Sequence, residues 1–195
     1  MSGPTPPIAF LPIDLSRWDH GPGGDALVVP VWSDVRPLRG AAGLLDWRLC
    51  GRLSQMIRDG RVTGAPQEKL LLVTNRVPWR RVLAVGVGVS TAFDEDAFRA
   101  TIDCSLQALR GIGASSVAMA LPGRDIDLIR PDRAIRHFMD ALAQSEEQGG
   151  VWLESLTFID TPSASKAIGE ASRARTSDQL VTDSQSSIDP GPTLL

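Results

Sequence analysis

Few side chains in this sequence are placed to do chemistry, and the most suggestive stand in RVLAVGVGVST, Arg81 to Thr91. An apolar run ends there in two glycines and two hydroxyl residues, and a helix-like segment follows. A turn of this kind at a helix start can aim backbone amides at a phosphate. Gly86, Gly88, Ser90 and Thr91 are therefore the candidate ligand-binding residues. The details favour a plain strand-to-helix turn. The dinucleotide fingerprint G-x-G-x-x-G finds Thr91 at its third glycine, and no Gly-Lys-Ser/Thr follows to make a phosphate loop. Asp94, Glu95 and Asp96 open the next helix, with Thr91 and Asp94 spaced as a capping box. Carboxylates there complement the helix dipole and repel an anion.

Other constellations are sparse. His20 lies in a Pro/Gly-rich loop and His137 on the expected outer face of a helix, and neither belongs to an H-E-x-x-H or Cys/His metal pattern. No G-x-S-x-G nucleophile elbow is present. Asp125 and Asp127 in RDIDLIR could bind a cation, but a pair of loop carboxylates is expected to face solvent. Trp79-Arg80-Arg81 is an isolated aromatic–basic cluster in a chain of net charge −3, so nucleic-acid binding is not expected. Cys50 and Cys104 both sit in helical patterns and are expected to be buried as small apolar side chains. No metal, cofactor or catalytic residue is expected.

The elements that must hold these residues alternate between strand and helix. Strands are expected at 8–15, 25–31, 68–75, 81–87, 116–121 and 153–160, the first an edge strand because of Pro12. Their continuous Val/Leu/Ile runs suit strands covered on both faces. Apolar residues at three- and four-residue spacing predict helices over 43–59, 94–111 and 131–148. The alternation predicts an α/β protein, a three-layer α/β/α sandwich with a mixed sheet. The organisation expected is an N-terminal strand and hinge (1–24), the α/β domain (25–160) and a flexible polar tail (161–195). No apolar run is long enough to span a membrane and the N-terminus lacks a signal-peptide pattern, so a cytoplasmic protein is expected.

The ordered series DALVVPVWSD, LLDWRLCGRLSQMIRDGRVTGAPQEKLLLVTN and RVLAVGVGVSTAFDEDAFRATIDCSLQALRGIGASSVAMAL resembles the N-terminal domain of the leucine (cytosol) aminopeptidases. The match rests on the Leu45-Asp46 helix, the glycine-containing approach from Gly60 to Leu70, and the strand ending Val85 to Gly88. The resemblance covers roughly 25–160 and implies a macro-domain-like fold. It also implies a non-catalytic role. In that family two metals are held in a separate C-terminal domain around Asn-Thr-Asp-Ala-Glu-Gly-Arg, a motif absent from this sequence. Within the family the N-terminal domain packs beside the catalytic one, contributes to hexamer contacts and in some bacterial members takes part in DNA binding. The expectation is an interaction or assembly module that binds a protein partner or itself, with Trp32, Trp47, Trp79 and Trp152 as the candidate surface. The alternatives are a nucleotide or ADP-ribose binder and an accessory subunit of a separately encoded aminopeptidase.

Overall fold

The computed structural model describes residues 6–166 and Gly169. Its elements run β1 (Ile8–Pro12), α1 (Leu15–Asp19), β2 (Gly24–Trp32), α2 (Gly40–Arg48), α3 (Arg52–Arg58), β3 (Lys69–Val73), β4 (Trp79–Gly88), α4 (Glu95–Gly111), β5 (Ser116–Met119), α5 (Pro131–Gly149) and β6 (Ser155–Asp160). The strands form one sheet in the order β1-β6-β5-β2-β4-β3. All neighbours are parallel except β3, which pairs antiparallel with β4 at the edge. The tail expected at 161–195 lies outside the described residues beyond Lys166, apart from Gly169.

Strand alternation explains why β2 reads as unbroken apolar sequence. Ala26 and Val28 enter one core with Phe98, Ile102 and Leu109 of α4 and Ile135 and Phe138 of α5. Leu27, Val29 and Val31 enter the other with Trp18, Leu45 and Leu53 from α1, α2 and α3. A strand with helices on both faces needs apolar residues at every position. Pro30 fits this central strand for a specific reason. Val28 accepts from Ala120 N–H at 3.0 Å, so the even residues of β2 face β5. The β5 ladder ends with Val28 opposite Met119, and the missing donor of Pro30 lies beyond it. Asp25, at the other end of β2, accepts from the amides of Ser116 and Ser115 at 3.1 and 3.0 Å. Those bonds hold its carboxyl below the usual range.

Several boundaries differ from the sequence reading. The first strand stops at Pro12, because Asp14 caps a short helix by accepting from Ser16 N–H at 2.9 Å. The single helix expected over 43–59 is two. Cys50 and Gly51 turn left-handed, with φ of 56° and 77°, and break the helix between α2 and α3. Asp46 secures the break by accepting from the amides of Leu53 and Ser54 at 2.8 and 3.0 Å and from Ser54 Oγ at 2.5 Å. Periodicity read across the break concealed it. Cys104 is buried as expected, but Cys50 is exposed, because the break turns it out of the core stripe. Asp94 is itself the N-cap of α4, accepting from Ala97 N–H at 2.8 Å. Thr91 lies in a separate 3-10 turn, Ser90–Ala92, so the pair is not a capping box.

Candidate functional site

Gly86 and Gly88 stand at the C-terminal end of β4, where the segment from Gly64 to Glu68 folds back onto them. Gly86 N–H donates to Glu68 O at 2.7 Å and Gly88 N–H donates to Gly64 O at 2.8 Å. Gln67 N–H donates to Gly86 O at 3.0 Å, and Ser33 N–H to Gly88 O at 2.8 Å. Ser90 is held through its amide and hydroxyl by Asp34, at 2.9 and 2.7 Å. These bonds keep the Asp34 carboxyl below its ordinary range. Thr91 is exposed in the 3-10 turn. The amides of Gly86, Gly88 and Ser90 are thus engaged within the chain, beside an ionised carboxylate. The need for glycine is steric as well. A Cβ on Gly86 would overlap the Ala65 carbonyl oxygen, and one on Gly64 would lie 2.5 Å from Trp32 O.

The four candidate surface tryptophans separate. Trp32 and Trp79 are core residues, 2% and 1% exposed, which corrects their assignment to a surface. Trp79 packs edge-on to Trp18, with ring centroids 5.7 Å apart. Trp152 is half-buried, with the Arg110 guanidinium 5.4 Å from its ring centre. Trp47 alone is open, 68% exposed, because it follows the Leu45 contact on α2 and points away from the sheet. It lines a groove of about 680 Å³ together with Pro37, Leu38, Cys50 and Arg76. The break after Leu49 shapes this groove by bringing Cys50 under Arg76, with Nη1 3.3 Å from Sγ. No carboxylate lies within ion-pair distance of Arg76 among the described residues.

A second place was not legible as a site in the sequence. Asp125 is not solvent-facing: its Oδ2 accepts from Trp32 Nε1 at 2.8 Å, and its Oδ1 is buried without a partner. Burial raises its pKa, opposed by the Trp32 bond. It lies against Gly40, the first residue of α2, whose N-terminus has no side-chain cap; Arg39 precedes it. The Pro-Gly turn before RDID, following β5, was the available signal. Asp127 is exposed as expected and stands 3.5 Å from Arg124. His137 is mostly covered rather than on an open face, its side chain 13% exposed and Nε2 3.5 Å from Glu95. No group of three His, Cys, Asp or Glu among the described residues is placed to hold a metal, and none of their helices is long and apolar enough to cross a membrane.

The mixed six-stranded sheet with helices on both faces is a three-layer α/β fold of the macrodomain kind. Solved structures with that architecture include the Trypanosoma brucei macrodomain in complex with ADP-ribose, at TM-score 0.62 and 18% identity over 87% of this chain and 78% of that one. A mutant tomato leucine aminopeptidase matches at TM-score 0.59 and 18% identity, over 88% of this chain but 36% of that one. At such identities the likeness is one of fold. The profile of the cytosol aminopeptidase family, N-terminal domain, matches residues 28–149, and this chain belongs to that family. A probable cytosol aminopeptidase of Pseudomonas syringae pv. tomato is 29% identical over 122 residues, 62% of this chain and 25% of that protein. The chain therefore spans about a quarter of that curated relative, and the matched part is the N-terminal domain.

Proposed function

We propose that this chain is a non-catalytic interaction module whose contact surface is the groove around Trp47. The observation that carries the reading is a tryptophan 68% exposed over an apolar groove, with an arginine on its rim that bonds Cys50 but has no carboxylate partner among the described residues. Trp and Arg beside a pocket are the residues that dominate protein interfaces, and here the open ring lies over a groove that it shares with Pro37 and Leu38. An aminopeptidase supplied by a separate chain is one partner this reading accommodates. Trp47→Ala should leave the urea midpoint within error, since the ring is solvated. As immobilised bait it should lose specific partners that the wild type and a Val151→Ala control both retain. Equal retention by all three baits, or no specific retention by the wild type, would remove the reading.

Asp125 supports a second reading, a nucleotide-type ligand at the C-terminal ends of the strands, where open α/β sheets take their ligands. The uncapped first turn of α2 and Arg39 suit a phosphate, and the free oxygen of Asp125 suits a hydroxyl or amino donor. Calorimetric titration with ADP-ribose tests it. Saturable micromolar binding that Asp125→Ala weakens at least tenfold supports this site; a flat titration excludes it. Binding unchanged in Asp125→Ala would send the search back to Ser90 and Thr91.

A further inference from the structure

The two edges of the sheet are finished differently. At one, β1 is bounded by Pro7 and Pro12, and proline is a standard way to blunt an edge. At the other, β3 carries neither proline nor bulge, and Leu71 and Val73 are 43% and 77% exposed. The hydrogen-bond phase shows what this edge offers. Gly86 N–H donates to Glu68 O, and Thr74 N–H to Arg80 O at 3.4 Å. The even residues of β3 therefore bond inward to β4, and alternation turns the N–H and C=O of Lys69, Leu71 and Val73 outward.

We propose that β3 pairs antiparallel with β3 of a second copy of this chain, about a two-fold axis at Leu72. This register puts Leu71 opposite Val73 of the second copy, and the reverse. Each such pair exchanges two backbone hydrogen bonds, because both members turn their groups outward. It also places the two exposed apolar side chains against each other on one face. Charge selects this register over its neighbours. Arg76, in the hairpin after β3, comes level with Glu68 of the second copy. Arg76 lacks a carboxylate partner among the described residues. Glu68 uses Oε2 for Thr63 and Gly64, which leaves Oε1 available. Centring on Leu71 instead would set Val73 against Lys69. The interface is isologous, as closed two-fold dimers require, and it makes one continuous sheet from two. Apart from Arg76, which also lines the Trp47 groove, the two surfaces share no residue.

Sedimentation equilibrium of the full chain across the micromolar range tests this. The wild type should show a monomer–dimer equilibrium. Val73→Pro removes an outward donor and no bond to β4, so it should weaken the dimer at least tenfold with an unchanged circular dichroism spectrum. Val73→Lys serves the same purpose should the proline variant lose its fold. Arg76→Glu should weaken the dimer most at low salt, by repulsion from Glu68. A strictly monomeric wild type overturns the proposal, as does a dimer that survives both Val73 variants. A dimer lost in Trp47→Ala but kept in the Val73 variants would place self-association in the groove and overturn it equally.

Discussion

Gly86→Ala should destabilise the protein by about 3 kcal/mol or more, near the upper end of what overpacking costs, because the obstruction is backbone. The added methyl would overlap the Ala65 carbonyl oxygen, with the carbonyl carbon and Gly64 C each 2.9 Å away. A side chain can rotate aside, but this carbonyl belongs to the segment bonded to β4 at Gly64, Gln67 and Glu68. Moving it strips the bonds that deliver β3 to its place. Gly111→Ala is the control: nothing lies within 4 Å of its added Cβ, and it ends a helix. That variant should be neutral or more stable by about 0.5 kcal/mol. Urea denaturation of both, with wild type, measures the difference; a Gly86→Ala loss under about 1 kcal/mol would mean the segment yields more easily than its bonds imply.

Asp160→Ala should cost about 3–5 kcal/mol, the range for removing one partner of a buried ion pair. Arg124 and Asp160 are 9% and 4% exposed and meet at 2.9 Å through Nε and Oδ2. A second guanidinium nitrogen reaches Oδ1 at 3.4 Å, while Nη1 donates to Ile129 O at 2.7 Å. The pair fixes the loop after β5 to the end of β6. Without the carboxylate the buried guanidinium keeps only the Ile129 carbonyl and the exposed Asp127, 3.5 Å away. Arg130→Ala supplies the contrast, since Arg130 and Asp132 are 81% and 36% exposed and such pairs contribute about 0–1 kcal/mol. Replacing both buried partners, Arg124→Met with Asp160→Leu, should recover part of the loss. Thermal unfolding of the four chains reads this directly. Similar losses for Asp160→Ala and Arg130→Ala would contradict the difference in burial.

The same two sites show what the sequence made legible. Runs such as Ala26 to Val31 and Val82 to Val85 fixed strands covered on both faces, since no wet face would tolerate them. The stripes of α4 and α5, each followed by a turn, fixed two helices nearly to the residue. The glycine turn showed its backbone freedom but not its purpose: nothing in VGVGVS says that Ala65, some twenty positions earlier, will lie on Gly86. Burial of tryptophan was equally silent. Trp32 ends an apolar strand and Trp47 stands between Asp46 and Arg48, but what encloses Trp32 is Phe93 at 5.1 Å and Asp125, contacts made across the fold. Asp125 and Asp160 read as ordinary loop and strand-end acids because their partners are 93 and 36 residues away. Local pattern carries the elements; the polar contacts that tie them together are non-local.

The left-handed break after α2 has a practical outcome for following this molecule in solution. It turns Cys50 to the surface, while Cys104, the other cysteine of the chain, is enclosed. A maleimide dye or spin label should therefore modify the native protein at one position without any substitution. That position lines the Trp47 groove, so the labelling rate becomes a footprint. Whatever settles into the groove should slow alkylation of Cys50, and whatever binds elsewhere should leave the rate unchanged.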